Sequence, residues 1–280
     1  AVASPMPLLA AIAARTKHIE VGTGVIDMRY ENPLYLAEEA AAVDLISDGR
    51  LALGVSRGSP ESVVRGYEAF GYTGSTDPRG ADIAREHFDT FLRAIEGEGI
   101  AERDSQSPFG GGSGKQRIEP HSPGLRSRIW WGAGNSDSAE WAGRIGVNLM
   151  SSTLLTEDRG MPFDELQAQQ IEIFRAAWRE AGHAGEPRTS ISRSIFPITT
   201  AEEQMYFGGR QDGDQVGVID GIRSTFGKTY AAAPDVLVEQ LLGDAAIRSA
   251  DTLMLTIPSQ LGVEFNLRVV ESFAKYVAPA

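Results

Sequence analysis

An arginine between a serine and a glycine follows a strongly apolar run in the first quarter of the chain. Residues 51–56 read Leu-Ala-Leu-Gly-Val-Ser, and Arg57 and Gly58 come directly after them. The planar fork of an arginine can donate two hydrogen bonds at once to an anion such as phosphate. A structural salt bridge to one of the many carboxylates would use the same residue type, so both interpretations stand at this point.

A second group of polar residues follows the run Ile-Trp-Trp-Gly-Ala at 129–133. Four small or polar residues lie at the beginning of the next predicted helix: Gly134, Asn135, Ser136 and Ser138. Free N–H groups and the positive end of the dipole make a helix start a phosphate-binding place. The same residue types are also ordinary helix caps. Because Arg57 also follows a strand, the two groups together favour one shared phosphate ligand.

The third stretch, Gly22 to Val25, has two glycines inside a predicted strand, a pattern of a bulge, of close approach to a ligand, or of simple packing. Other chemistry has little support in the sequence. The chain has no cysteine, which excludes disulfides, thiolate nucleophiles and zinc–thiolate sites. None of the four histidines has a metal-ligand spacing. We therefore predict no metal and assign no catalytic side chain.

Charge and composition limit the class of partner. The chain has 280 residues, with 26 Lys and Arg against 38 Asp and Glu, and a formal charge of −12. This balance argues against nucleic acid as the partner and favours a small molecule. No apolar stretch approaches the roughly 18 residues of a membrane span, and no signal peptide is visible. We predict a cytoplasmic protein that binds neither nucleic acid nor membrane.

The elements that must position these residues alternate regularly between helix and strand. Apolar periodicity and turn residues predict helices at about 4–15, 32–49, 80–96, 138–146, 163–181, 234–243 and 262–276, and strands at about 18–26, 51–56, 128–133, 147–152, 190–198 and 251–258. This rhythm is typical of an α/β fold with a parallel sheet, in which functional residues lie at the carboxyl ends of the strands.

Both a doubly wound sheet and a (β/α)8 barrel fit this pattern. Because no Gly-rich turn of the GxGxxG type follows the first strand, we favour the barrel, although six strands are two fewer than eight. Two stretches interrupt the rhythm, at about 97–128 and 200–233, and are predicted to be insertions; the second is the candidate lid. No linker divides the chain, so we expect a single domain over 1–280.

Two segments resemble a known family. Residues 15–58 and 128–152 resemble the two signatures of the bacterial luciferase-like monooxygenases, flavin-dependent (β/α)8 barrels. The resemblance implies that Arg57, Asn135 and Ser136 bind the FMN phosphate. It also implies a non-prolyl cis peptide at Gly24-Val25 beneath the flavin ring. Ser56 matches the position of a reactive cysteine near the flavin in bacterial luciferase.

The resemblance also implies an activity. We expect a monooxygenase that uses reduced FMN from a separate reductase, and molecular oxygen, on a small organic substrate. An oxidoreductase that uses the deazaflavin F420, or a flavin-binding barrel without turnover, are the alternatives. A homodimer through the helix near 34–46 is expected. Arg193 or Ser194, near a strand end, could line the substrate pocket.

The family barrel begins with a strand, a helix and a second strand, followed by a segment with an active-site histidine. No part of the sequence corresponds to these elements, so the first two strands are expected to be missing from this chain. A natural protein about 50 residues longer is therefore expected, a length taken from typical βαβ units. The catalytic acid or base is expected in that preceding segment.

Overall fold

The computed structural model describes residues 4–58, 61, 63–108, 113–157, 159–209, 213–219 and 221–280. The chain divides into two compact units, residues 1–132 and 133–280. The expectation of a single domain over 1–280 stays a prediction.

The first unit contains three parallel strands. They are β1 (Val21–Asp27), β2 (Leu51–Ser56) and β5 (Ile129–Ala133), whose last residue begins the second unit. β2 lies between the other two, with Leu53 opposite both Thr23 and Ile129. Every second residue of β2 from Leu51 to Val55 is fully buried, which is typical of a strand covered by helices. The predicted strands are confirmed here.

Three helices accompany these strands: α1 (Pro5–Arg15), α2 (Pro33–Ser47) and α3 (Ala81–Ile95). Local chemistry explains where α2 begins. The side chain of Asn32 accepts hydrogen bonds from the N–H groups of Leu34 and Tyr35, and Pro33 is the first helical residue. A short antiparallel pair, β3 (Ala101–Glu102) and β4 (Lys115–Gln116), lies inside the predicted insertion at 97–128. Residues 109–112 of this predicted insertion lie outside the described residues.

The second unit is built on a long strand, β8 (Thr189–Pro197). Two strands pair with β8 in parallel, β6 (Asn148–Ser151) and β12 (Thr252–Leu255), and both were predicted as strands. A third strand, β11 (Thr229–Ala232), also pairs in parallel with β8, with Thr229 opposite Ser194. The expected insertion at 200–233 therefore needs correction, because its end is a strand of this sheet. A strand of four residues is too short for a visible apolar pattern.

The rest of the region 200–233 is also regular. It contains α6 (Ala201–Phe207), β9 (Gln215–Ile219) and β10 (Ile222–Phe226). β10 pairs antiparallel with β9 and with the short strand β7 (Leu154–Leu155). The helices of this unit are α4 (Ser136–Ile145), α5 (Phe163–Glu180), α7 (Pro234–Gly243), α8 (Ala245–Ser249) and α9 (Val263–Tyr276). Only α6 and α8 among these were not predicted.

A buried ion pair holds the second unit together. Arg193 on β8 donates from Nε and Nη2 to the two carboxylate oxygens of Asp244 at 2.7 and 3.0 Å. Their side chains are 2% and 0% exposed. Tyr230 donates to the same carboxylate at 2.6 Å, and Gln167 accepts from Arg193 at 2.6 Å. The pair therefore ties β8 and β11 to α5 and to the first turn of α8.

Candidate functional site

The carboxyl end of β1 in the first unit carries two of the predicted site residues. The peptide bond between Gly24 and Val25 is cis, as the resemblance implied. The register between β1 and β2 shifts between Thr23 and Ile26, so the strand is irregular there. Val25 is 38% exposed and lies next to the buried Ile26, and a Cβ on Gly132 would lie 3.2 Å from the Val25 side chain. An apolar side chain is thus presented at the strand end.

Ser56 and Arg57 lie in a tight turn at the end of β2. The buried hydroxyl of Ser56 accepts a hydrogen bond from the N–H of Gly58 at 2.8 Å. Gly58 has a φ of 86°, in the left-handed region that favours glycine. Ser56 therefore holds the backbone on both sides of Arg57. The structure gives this serine a positioning role, whereas the resemblance gave only its place near the flavin.

Asp27, the last residue of β1, and Arg29 pack against this turn. Arg29 donates to the carboxylate of Asp27, with Nη2 to Oδ2 at 2.6 Å, and also pairs with Glu61 at 3.2 Å. A Cβ on Gly58 would lie 2.0 Å from Oδ2 of Asp27 and 2.6 Å from Nη2 of Arg29. Because these atoms form an ion pair, they cannot withdraw without losing it. The pair of Asp27 and Arg29 thus fixes the turn that presents Arg57.

We expect Gly58→Ala to destabilise this turn by about 1–3 kcal/mol from backbone conformation alone, with a further cost from the clash. Gly71→Ala is the matched control, since Gly71 has a φ of 88° but nothing within 4 Å of its Cβ position. The difference in urea unfolding free energy between the two variants measures the clash. Equal losses would show that the Asp27–Arg29 pair does not confine the turn.

Arg57 itself is half-buried and lies in a positively charged environment. Burial lowers the pKa of its guanidinium, and the charges of Arg79, Arg29 and Arg85 lower it further, while Asp77 opposes them. Within the described part of the chain, Arg57 forms no hydrogen bond or ion pair. The salt-bridge interpretation is therefore not supported. A buried cation among like charges is costly unless an anion binds it.

The second unit contains the other predicted residues, at the beginning of α4. Asn135 is the N-cap, and its side chain accepts a hydrogen bond from the N–H of Ser138 at 2.9 Å. The carbonyl of Gly134 accepts from the N–H of Thr156 at 2.8 Å. Asn135 and Ser138 thus act as the ordinary cap that the sequence also allowed. Capping does not prevent the first N–H groups of the helix from binding an anion.

A carboxylate already lies on those groups. The N–H and the hydroxyl of Ser136 both donate to Oε1 of Glu157, at 3.0 and 2.8 Å. Glu157 lies 21 residues further along the chain and was not among the predicted site residues. The contact nevertheless shows that this helix start accepts a negative charge.

Several functional groups could not be found from the sequence. The charges of Arg79 and Arg85, from a different segment, lower the pKa of Arg57. Asp27 at the end of β1 lies against Gly58, which follows β2. No spacing rule connects such residues. Arg193 or Ser194 was expected to line the substrate pocket, but Arg193 lies in the middle of β8 and is buried in the ion pair with Asp244. A side chain that is 2% exposed and held by a carboxylate is not available to a substrate, and the suggestion for Ser194 stays a prediction.

The described residues contain no cluster of three or more His, Cys, Asp or Glu side chains placed to hold a metal ion. No helix among them has both the length and the apolar character needed to cross a membrane.

Solved structures resemble this chain over nearly its whole length. The FMN complex of the oxygenating constituent of 3,6-diketocamphane monooxygenase from Pseudomonas putida has a TM-score of 0.67 and 18% identity, over 99% of this chain and 83% of that one. The coenzyme F420-dependent tetrahydromethanopterin reductase of Methanopyrus kandleri has a TM-score of 0.64 and 16% identity, over 99% and 87%. These likenesses confirm the predicted α/β fold of the luciferase-like type.

The family follows from the sequence comparison. The profile described as "Luciferase-like monooxygenase" matches residues 1–205, and the chain belongs to this family. The oxygenase component of a flavin-dependent trigonelline monooxygenase from Acinetobacter baylyi is 41% identical over 73 residues. That match covers 24% of this chain and only 20% of that relative's length.

Proposed function

We propose that this chain provides the flavin site of a monooxygenase that uses reduced FMN and molecular oxygen on a small organic substrate. The observation that carries the proposal is Arg57, a half-buried guanidinium without a protein partner among the described residues, whose pKa is lowered by burial and by the charges of Arg79, Arg29 and Arg85 against the opposing charge of Asp77. A phosphate dianion is the ligand that such a group of cations would bind most strongly. FMN carries one phosphate, and the family uses flavins.

Two sets of residues are candidates for binding the flavin, and each is considered within its own unit. In the first unit Arg57 binds the phosphate, and Ser56 orients Arg57 through its hydrogen bond to Gly58. Gly24 and Val25 support the flavin ring. In the second unit the start of α4 binds phosphate oxygens, through Asn135 and Ser136, with Gly134 and Ser138 shaping that first turn. These residues fit FMN chemically. They offer hydrogen-bond donors for the phosphate and a backbone and apolar surface for the ring.

The flavin, when bound, supplies the redox chemistry with oxygen. The residues of this chain bind the phosphate, orient the ring against the apolar Val25 side chain and exclude water. No side chain among the described residues is assigned as acid or base.

A separate reductase is the partner that we propose for the supply of reduced flavin. The Acinetobacter relative is the oxygenase component of a flavin-dependent monooxygenase, which supports this arrangement. A homodimer through α2 is also proposed. Tyr35, Leu45 and Ile46 on that helix are 69%, 51% and 54% exposed, an apolar surface that a second copy could cover.

The second candidate function is an oxidoreductase that uses F420 and does not need oxygen. The structural likeness to the F420-dependent reductase favours keeping it. F420 also carries a phosphate, so Arg57 alone does not distinguish the two cofactors. A flavin-binding protein without turnover is the remaining alternative, as relatives can keep a fold and lose its chemistry.

Fluorescence titration with FMN and with F420 is the test that separates these functions. We expect FMN to bind and F420 to bind at least tenfold more weakly. Oxygen uptake with chemically reduced FMN then tests for a reaction with oxygen. Binding of F420 alone would replace the monooxygenase by a hydride-transfer enzyme, and FMN binding that leaves the oxygen reaction of free flavin unchanged would favour the protein without turnover.

A further inference from the structure

Glu157 occupies the two donors of Ser136 at the beginning of α4. Its Oε1 accepts from the N–H at 3.0 Å and from the hydroxyl at 2.8 Å. The side chain is 16% exposed, and its other oxygen lies 3.2 Å from Nη2 of Arg159. Arg159 is in turn held by Gln169, which accepts a hydrogen bond from Nη1 at 2.9 Å. Both oxygens of the carboxylate are thus engaged.

The backbone that carries Glu157 is fixed independently of this carboxylate. The N–H of Thr156 donates to the carbonyl of Gly134 at 2.8 Å, and the N–H of Ser152 donates to the carbonyl of Ala133 at 3.0 Å. These bonds do not involve the Glu157 side chain. The carboxylate can therefore leave Ser136 by side-chain rotation, while the loop stays attached beside α4.

A phosphate and the Glu157 carboxylate cannot share these donors. Each hydrogen of Ser136 makes one strong hydrogen bond, and two anions in contact repel each other. We infer that Glu157 is an internal competitor of the flavin phosphate at Ser136, and that it sets the selectivity of this chain between phosphorylated and unphosphorylated flavins. This inference rests on the proposed function, which places the phosphate at the start of α4.

Displacement of the carboxylate has a second consequence. Once Glu157 leaves Ser136, the hydrogen bonds of Ser136 no longer fix the carboxylate in its present pairing with Arg159 at 3.2 Å. Arg159 remains attached to Gln169 through its other nitrogen. Arg159, which lies 3.2 Å from the carboxylate that Ser136 now holds, then offers its positive charge to the phosphate that replaces this carboxylate. Glu157 thus opposes weak ligands of this helix start and gives way to a stronger one.

The test compares FMN with riboflavin, which lacks the phosphate, by fluorescence titration of the wild type and of Glu157→Gln. Glutamine keeps the size and an acceptor oxygen but loses the charge. We expect Glu157→Gln to bind FMN about tenfold more tightly than the wild type, with riboflavin affinity unchanged. Glu165→Gln is the control, because Glu165 is exposed, lies in the same unit and does not contact Ser136.

The outcomes separate this inference from the proposed function. If the wild type binds FMN and Glu157→Gln leaves the ratio of FMN to riboflavin affinity unchanged, or lowers it, the inference is overturned and the cofactor proposal stands. If neither protein binds FMN, both are overturned. A tightening of FMN and riboflavin alike would also overturn it, since competition for the phosphate acts on FMN alone.

Discussion

Replacing Arg57 by alanine is expected to weaken FMN binding by about 10- to 150-fold, the range for losing hydrogen bonds to a charged group. Arg57 forms no ion pair or hydrogen bond within the described residues, so its removal disrupts no protein contact of that kind. We expect the folded protein to be at least as stable as the wild type, because burial and Arg79 both disfavour this cation. Affinity by fluorescence and stability by urea unfolding are the two measurements.

The controls for this prediction use a ligand and a second arginine. Riboflavin lacks the phosphate, so its affinity should change far less than that of FMN. Arg15→Ala removes an exposed arginine of the same unit at the end of α1 and should leave both affinities unchanged. An equal loss for FMN and riboflavin would mean that Arg57 supports the site generally and does not bind the phosphate.

The second large effect is expected for Arg193→Met, which leaves Asp244 buried without its cation. Removal of one partner from a buried ion pair costs about 3–5 kcal/mol of unfolding free energy. Asp244 also accepts from Tyr230 and from the N–H groups of Ala246 and Ile247. These donors favour the ionised carboxylate, so the variant leaves a buried negative charge without its cation. Urea unfolding at neutral pH measures the loss.

Arg175→Met is the matched control for this second prediction. Arg175 pairs with Asp251 at 3.6 Å, with side chains 26% and 45% exposed, and such pairs contribute about 0–1 kcal/mol. A loss in Arg193→Met no larger than in Arg175→Met would contradict the importance of the buried pair.

The loss in Arg193→Met should also depend on pH. Burial raises the pKa of Asp244, but the hydrogen bonds and charge of Arg193 outweigh it and hold the pKa below its ordinary value. A depressed folded pKa gives stability that is complete above the unfolded pKa of about 4 and is lost as the pH falls through the folded value. The difference between wild type and Arg193→Met should therefore shrink on acidification. A difference that grows at low pH would contradict this account.

The alternation of elements was predictable from the sequence because each strand and helix carries its own pattern. The apolar run of β2 and the cap Asn32 before α2 are local signals, and both predicted elements were confirmed. β11 was missed because four residues carry too little pattern, and it is recognisable as a strand only through its pairing with β8. Long-range pairing decides such short strands.

The candidate site divides in the same way. The sequence by itself determined which residue types follow each strand, and so placed Arg57 and Ser136 at strand and helix ends where anions bind. Only the tertiary structure decided their surroundings: the charges of Arg79, Arg29 and Arg85 that act on the half-buried Arg57, and the carboxylate of Glu157 on Ser136. The physical reason is that backbone patterns are local, whereas charge interactions join side chains that are distant in the chain.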